Sequence, residues 1–199
     1  MDEKTISYYD KNAEYFVQGT QNVEFTKVQD HFLALLPQDG RILDFGCGSG
    51  RDAKYFLNKG FQTDAIDGSE ELCKLASEYT GINVKHMFFS EFDACDLYDG
   101  IWACASILHL PKGELKDIFS KMIRALKDRG YIYTSFKYGD FEGYRNERYF
   151  TDFTEAAFRQ FLEEIPGIKM KECWLSDDVR PDRNEEKWLN IILQKQTIN

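Results

Sequence analysis

The chain has 199 residues and a formal charge of −9, from 25 Lys and Arg against 34 Asp and Glu, with 43% hydrophobic and 15% aromatic residues; this is enough for one filled core. A negative balance of this size repels phosphate backbones and anionic lipid surfaces, and no run of Lys and Arg offsets it, so nucleic acid and membrane are not expected as partners. No apolar run reaches 18 residues and none follows Met1-Asp2-Glu3-Lys4, so neither a signal peptide nor a membrane span is supported and a soluble cytoplasmic protein is expected.

Between Thr5 and Leu36, the residues Val23, Phe25, Val28, Phe32, Leu33 and Leu36 recur at roughly helical spacing before Pro37 and Gly40, which predicts two helices. From Arg41 the pattern alternates. Short apolar runs at Ile42–Phe45, Phe61–Ile66, Val84–Phe88, Gly100–Ser106 and Gly130–Phe136 are separated by helix-like stretches at Arg51–Lys59, Glu70–Tyr79 and Lys112–Lys127. Strands alternating with helices argue for right-handed βαβ units and a mostly parallel sheet covered on both faces. After Phe136 a polar, aromatic segment from Lys137 to Asp152 precedes a helix at Thr154–Glu164. Two strand candidates follow, Ile168–Leu175 and Lys187–Gln194, and are expected to pair as an antiparallel hairpin at the sheet edge. With no linker or repeat, residues 1–199 read as a single domain: 1–38 a helical cover, 41–137 the core, 138–199 a final segment. Five cysteines (Cys47, Cys73, Cys95, Cys104, Cys173) without C-x-x-C spacing fit reduced thiols, and His31, His86 and His109 are too dispersed for a metal site.

The sharpest signal is Ile42-Leu43-Asp44-Phe45-Gly46-Cys47-Gly48-Ser49-Gly50-Arg51, a buried strand entering a glycine-rich turn and then a helix. Glycines there permit positive φ and close approach of a ligand to the backbone, and the helix N-terminus presents unpaired N–H groups. Asp67, 21 residues after Gly46, ends the next strand, where a carboxylate accepts hydrogen bonds from ribose hydroxyls. A nicotinamide-type G-x-G-x-x-G needs glycine or alanine where Arg51 stands, and no G-x-x-x-x-G-K-[ST] occurs; dinucleotide and P-loop readings are therefore set aside.

With these residues in hand, the chain resembles the class I S-adenosylmethionine-dependent methyltransferases. Asp44-x-Gly46-x-Gly48-x-Gly50 looks like their first motif and Asp67-Gly68 like their second, while Asp99 to Leu110 looks like their fourth-strand segment with its leucine-histidine pair. The Gly-Ser-Gly-Arg-Asp-Ala variant resembles a bacterial group labelled tellurite-resistance-like. The resemblance covers about Thr5 to Lys137. It implies a Rossmann-like three-layer α/β sandwich: a seven-stranded, mostly parallel sheet with an antiparallel edge hairpin and an N-terminal helical lid. It implies S-adenosyl-L-methionine as cofactor, with Gly46 and Gly48 making room for its methionine part, Asp44 orienting the ammonium and Asp67, with Gly68, at the ribose. Ser90, Glu91 or Phe92 would meet the adenine, and the Cys104 carbonyl would lie near the methionine amine. Tyr8-Tyr9-Asp10-x-Asn12-Ala13-x-x-Phe16 resembles the lid, with Tyr9 over the cofactor carboxylate; helix-face packing is the alternative for Tyr9 and Phe16.

Methyl transfer from a sulfonium is an in-line displacement, so the protein mainly orients the acceptor and excludes water. His109 is the candidate catalytic base, with a backbone-bonded histidine that shapes the site as the alternative. Arg145 and Arg148, with Arg180 and Arg183, offer cationic forks to an anionic acceptor, or else pair with the acids around them, Asp140, Glu142, Glu147, Asp177, Asp178 and Glu185. The expected function is methyl transfer to a small-molecule acceptor by a monomer or weak homodimer; a cofactor-binding protein without catalysis and a protein methyltransferase are the alternatives.

Overall fold

The computed structural model describes residues 3–180 and 186–197; Arg183 and Glu185 lie outside the described residues. Three helices open the chain where two are expected: α1 (Glu3–Lys11), α2 (Ala13–Thr20) and α3 (Thr26–Leu33). Asn12 separates the first two by leaving helical geometry at φ −115° and turning its side-chain amide back to the Tyr8 carbonyl at 2.8 Å. The alternating section follows as β1 (Arg41–Phe45), α4 (Arg51–Asn58), β2 (Gln62–Asp67), α5 (Glu70–Thr80), β3 (Lys85–His86), β4 (Tyr98–Ala103), α6 (Lys112–Ala125) and β5 (Leu126–Lys137). The segment after Lys137 forms a hairpin, β6 (Glu142–Arg145) with β7 (Arg148–Thr151), and the chain ends with α7 (Glu155–Glu163), β8 (Ile168–Asp177) and β9 (Lys187–Lys195).

Seven strands form one sheet in the order β3-β2-β1-β4-β5-β9-β8. The first five run parallel, and β9 pairs antiparallel with both β5 and β8. The sheet has helices on both faces because neighbouring apolar residues on each central strand point opposite ways. Leu43, Ile101, Ile132 and Ile191 pack with Phe119 and Met122 of α6 and Phe158 of α7. Their chain neighbours Ile42, Trp102, Tyr133 and Ile192 pack with Phe32 of α3 and Phe56 of α4. On that second face the Trp102 and Tyr133 rings stack with centroids 4.0 Å apart. Each such fully buried side chain contributes about 1.5–3 kcal/mol.

Local signals set the helix ends nearest the sheet's carboxyl edge. Ser69 caps α5 by accepting the Leu72 N–H at 3.2 Å, and Gly81 ends it in the left-handed region. The fourth strand stops at Ala103 rather than Ser106 because Ala105 turns the chain with φ +50°. A short 3₁₀ turn, Ile107–His109, follows and delivers His109 beneath the N-terminal helices.

Candidate active site

Ligands of open α/β sheets bind beyond the carboxyl ends of the strands, and there a cavity open at its mouth lies between β1, β2, β4 and β5 below and α1, α2 and the β6–β7 hairpin above. Its floor is the turn after β1. Gly46 has φ +85°, and a Cβ there would stand 2.5 Å from the Ser106 Cβ and 3.0 Å from the Phe89 ring. The Gly46 and Cys47 N–H groups donate to the Ile66 carbonyl at 2.9 and 3.0 Å, pinning the turn to β2. A Cβ at Gly48 would meet the Phe16 ring of α2 at 2.9 Å. Only a glycine turn leaves this backbone open to a ligand.

Asp67 lines the cavity at the end of β2. Its Oδ2 accepts the Gly48 N–H at 2.8 Å and its Oδ1 the Ser69 N–H at 2.9 Å; each oxygen keeps lone pairs for a further donor. Burial pushes its carboxyl above the ordinary range, with these backbone N–H groups opposing. Asp44 does not line the cavity. It is buried, its Oδ2 accepts the Ala53 N–H at 3.0 Å, and it thereby caps the first turn of α4. Burial, with Asp52 close by, holds its carboxyl well above the usual range.

The carboxylate that does face the cavity from this side is Asp52, which the sequence reading passed over. It accepts from Gln29 Nε2 at 2.6 Å, Arg51 Nε at 2.8 Å and Trp102 Nε1 at 2.9 Å. A carboxylate in the first turn of a helix that follows a glycine-rich turn was the available signal.

Ser90, Glu91 and Phe92 do not line the cavity. The 3₁₀ turn Phe89–Glu91 sends Ser90 and Glu91 to solvent, where Glu91 Oε2 accepts the Phe88 N–H at 2.9 Å and the Ser90 carbonyl accepts from Lys121. Phe92 is buried edge-on against Phe45, and it is Phe89, stacked on Phe45 with centroids 4.5 Å apart, that reaches the cavity. Gly68 and Cys104 line it as well. A Cβ on Gly68 would lie 2.6 Å from Ile6 of α1, and burial pushes the Cys104 thiol up to about 12, so it stays protonated at neutral pH.

On the opposite wall His109 is 3% exposed. Its Nδ1 lies 2.6 Å from the Tyr149 carbonyl and its Nε2 2.8 Å from the Tyr9 hydroxyl. A carbonyl only accepts, so Nδ1 carries the proton in the neutral ring and Nε2 accepts the Tyr9 O–H. Tyr9 therefore has its proton committed to His109 rather than free for a carboxylate. Burial raises the Tyr9 hydroxyl, and the Arg148 guanidinium opposes the rise. The covering helix is tied down at three points: Tyr9 to His109, Asp10 Oδ1 accepting the Ser69 O–H at 2.6 Å, and Thr5 Oγ1 accepting the Tyr149 N–H at 3.0 Å.

The arginines divide. Arg145 lies outside the cavity, doubly bonded to Asp152 at 3.0 and 2.7 Å and stacked over Phe141. Arg180 lines the cavity but is paired with Asp178, Nε to Oδ1 at 2.9 Å. Arg148 lines it and lies over the Tyr8 ring, 4.5 Å from its centroid.

Residues 42–130 match a family model described as a methyltransferase domain. The matched stretch, a little under half of the chain, is a methyltransferase domain. An uncharacterized methyltransferase of Staphylococcus carnosus is 25% identical over 186 residues, 86% of this chain and 89% of that one. Among solved structures, the 1,6-didemethyltoxoflavin-N1-methyltransferase of Burkholderia thailandensis, with 1,6-didemethyltoxoflavin and S-adenosylhomocysteine bound, aligns with a TM-score of 0.78 at 20% identity over 98% of this chain and 88% of its own. The magnesium protoporphyrin IX methyltransferase of Synechocystis PCC 6803, with S-adenosylmethionine bound, aligns at 0.71 and 18% identity over 98% of both chains. The matched segment holds the glycine turn, Asp67 and His109; Tyr9 and Arg148 lie outside it. Among the described residues no helix is long and apolar enough to cross a membrane.

Proposed function

We propose that this methyltransferase binds S-adenosylmethionine across the ends of β1 and β2 and passes its methyl group to a small-molecule acceptor held under α1 and the β6–β7 hairpin. The observation that carries the reading is the covered cavity. The glycine turn and Asp67 stand on one wall and His109 and Arg148 on the other, with α1, tied at three points, over both; this arrangement suits a cofactor beside a compact acceptor rather than a duplex. The acceptors named for the Burkholderia and Synechocystis enzymes are small molecules too.

The residues present fit the cofactor. The Gly46–Gly48 turn leaves a cradle that a Cβ would fill, and Asp67 keeps lone pairs that would take the ribose hydroxyls; Phe89 and Gly68 would offer surfaces for the adenine, and Cys104 would border the methionine end. Asp52, with three protein donors already, is the local counter-charge for an ammonium in place of Asp44. When bound, the cofactor supplies an electrophilic sulfonium methyl, and the remaining work is orientation and exclusion of water.

Where the acceptor must lose a proton, the Tyr9 oxygen takes it through a lone pair facing the cavity as the Tyr9 proton passes to His109 Nε2. His109 leaves the step as an imidazolium whose Nδ1–H is still held by the Tyr149 carbonyl. Calorimetry with S-adenosylmethionine, S-adenosylhomocysteine and NAD tests the cofactor, and stabilisation by NAD alone would overturn it. Formation of S-adenosylhomocysteine on adding the low-molecular-mass fraction of a cell extract supports the acceptor class. Turnover with the protein fraction alone would replace it with a protein methyltransferase, and no turnover with either would favour a cofactor-binding protein without catalysis.

A further inference from the structure

Among the described residues four cationic side chains line the cavity, and three of them have a carboxylate: Arg51 pairs with Asp52 at 2.8 Å, Lys137 with Glu186, and Arg180 with Asp178. Arg148 forms no ion pair and no hydrogen bond with a carboxylate among the described residues; its guanidinium acts on the Tyr9 hydroxyl, and its Nε is buried without a partner. Aromatic rings box the guanidinium in, with Tyr8, Phe150 and Tyr9 centroids at 4.5, 5.3 and 5.8 Å. The carboxylates that line the same cavity are already engaged: Asp52 by three donors, Asp67 by two backbone N–H groups, Asp177 by Lys187 and Asp178 by Arg180 and Trp188.

A guanidinium in a partly desolvated aromatic box with an orphaned Nε–H calls for an anion from outside the chain. Its place says which ligand brings it. Arg148 precedes Tyr149, whose carbonyl holds His109, and so lies on the His109 wall, with Tyr9 between it and that histidine, not on the glycine-turn wall. We infer that Arg148 is the specificity-determining residue of an acceptor subsite for a planar carboxylate, gripped by its Nε–H and one terminal N–H as a fork. The inference rests on the methyltransferase reading above and narrows its acceptor to a carboxylic acid, with the atom to be methylated placed toward the Tyr9 hydroxyl.

The test uses the full chain loaded with S-adenosylhomocysteine, titrated with benzoate and, as neutral and cationic counterparts, benzamide and benzylamine. Benzoate is expected to bind the loaded wild type and to weaken at least tenfold in Arg148→Gln. Arg148→Lys should fall between, since a point charge replaces the fork. Both variants should bind S-adenosylhomocysteine as the wild type does. The ¹⁵Nε–H resonance of Arg148 should move when benzoate is added to the loaded wild type, a readout that needs no variant. Equal benzoate affinity in wild type and Arg148→Gln, no benzoate binding to the wild type, equal or tighter binding of benzylamine, or competition between benzoate and S-adenosylhomocysteine would each overturn the proposal. Failure of S-adenosylhomocysteine itself to bind would sink the cofactor reading instead, and it is seen in the first titration before any anion is added.

Discussion

Gly46 and Gly81 allow the cost of close approach at the glycine turn to be separated from the cost of backbone conformation. Their φ angles are +85° and +83°, so alanine pays nearly the same left-handed penalty at both, about 1–2 kcal/mol. At Gly81 a Cβ meets nothing within 4 Å, whereas at Gly46 it would stand 2.5 Å from the Ser106 Cβ and 3.0 Å from the Phe89 ring. Ser106 cannot easily retreat, because its hydroxyl donates to the Phe45 carbonyl at 2.6 Å. Overpacking of this kind adds about 1–3 kcal/mol. At roughly 2–4 °C per kcal/mol for a chain of this size, Gly81→Ala should lower Tm by about 2–8 °C and Gly46→Ala by a further 2–12 °C. Thermal denaturation followed by circular dichroism measures both. Calorimetry should show S-adenosylhomocysteine affinity lost only in Gly46→Ala, since its new methyl also shifts the cavity floor. A Gly46→Ala protein that melts no lower than Gly81→Ala would refute the claim that this turn is held by steric closeness.

Asp52→Asn leaves one amide oxygen where a carboxylate served three donors, and breaking a buried pair from one side costs about 3–5 kcal/mol. Its Tm should drop by roughly 6–20 °C with a change in Trp102 fluorescence; a drop under about 3 °C would contradict the network. For Asp44 the folded-state carboxyl is raised above its unfolded value, so the folded chain holds that proton more tightly and stability is lost as pH rises through the raised value. Asn keeps an acceptor for the Ala53 N–H and carries no charge. Asp44→Asn should therefore raise Tm relative to wild type more at pH 7 than at pH 4, and an equal difference at both would count against the assignment. Nitrogen-15 NMR of His109 should show the Nδ1–H tautomer near neutral pH, unchanged in Tyr9→Phe; an Nε2–H tautomer would break the proposed proton path.

The sheet was legible because its strands announce themselves twice, as apolar runs and as the neighbours that split between faces. Ile42 and Leu43, or Ile101 and Trp102, make a strand buried on both sides the economical reading. The first cofactor motif was equally plain in its glycines. What failed was fine placement. Asp44 fits the motif, yet its side chain turns inward to α4, and nothing in the letters distinguishes that from facing a ligand. Around Phe89 one 3₁₀ turn rotates the pattern, so the residue at the cavity is the apolar one before the polar pair that chemistry suggested. The β6–β7 hairpin was read only as a polar, aromatic segment because its turn is Asn146-Glu147, both at positive φ of 47° and 66°. The usual signal for such a turn is Asn-Gly, and a glutamate there hides it. Asn12 concealed the extra N-terminal helix in the same way, since one polar residue within a helical rhythm does not mark a break.

The peptide groups of Tyr149 face two ways at once: its N–H holds Thr5 of the first helix and its C=O fixes the tautomer of His109. Cover, proton path and the neighbouring Arg148 thus hang from consecutive residues of one short strand. Recombination treats them as a single cassette. A chimera that imports the hairpin of a relative to change the acceptor inherits a new seat for α1, so residues 3–20 and 142–151 have to be exchanged together for the graft to close over its ligand.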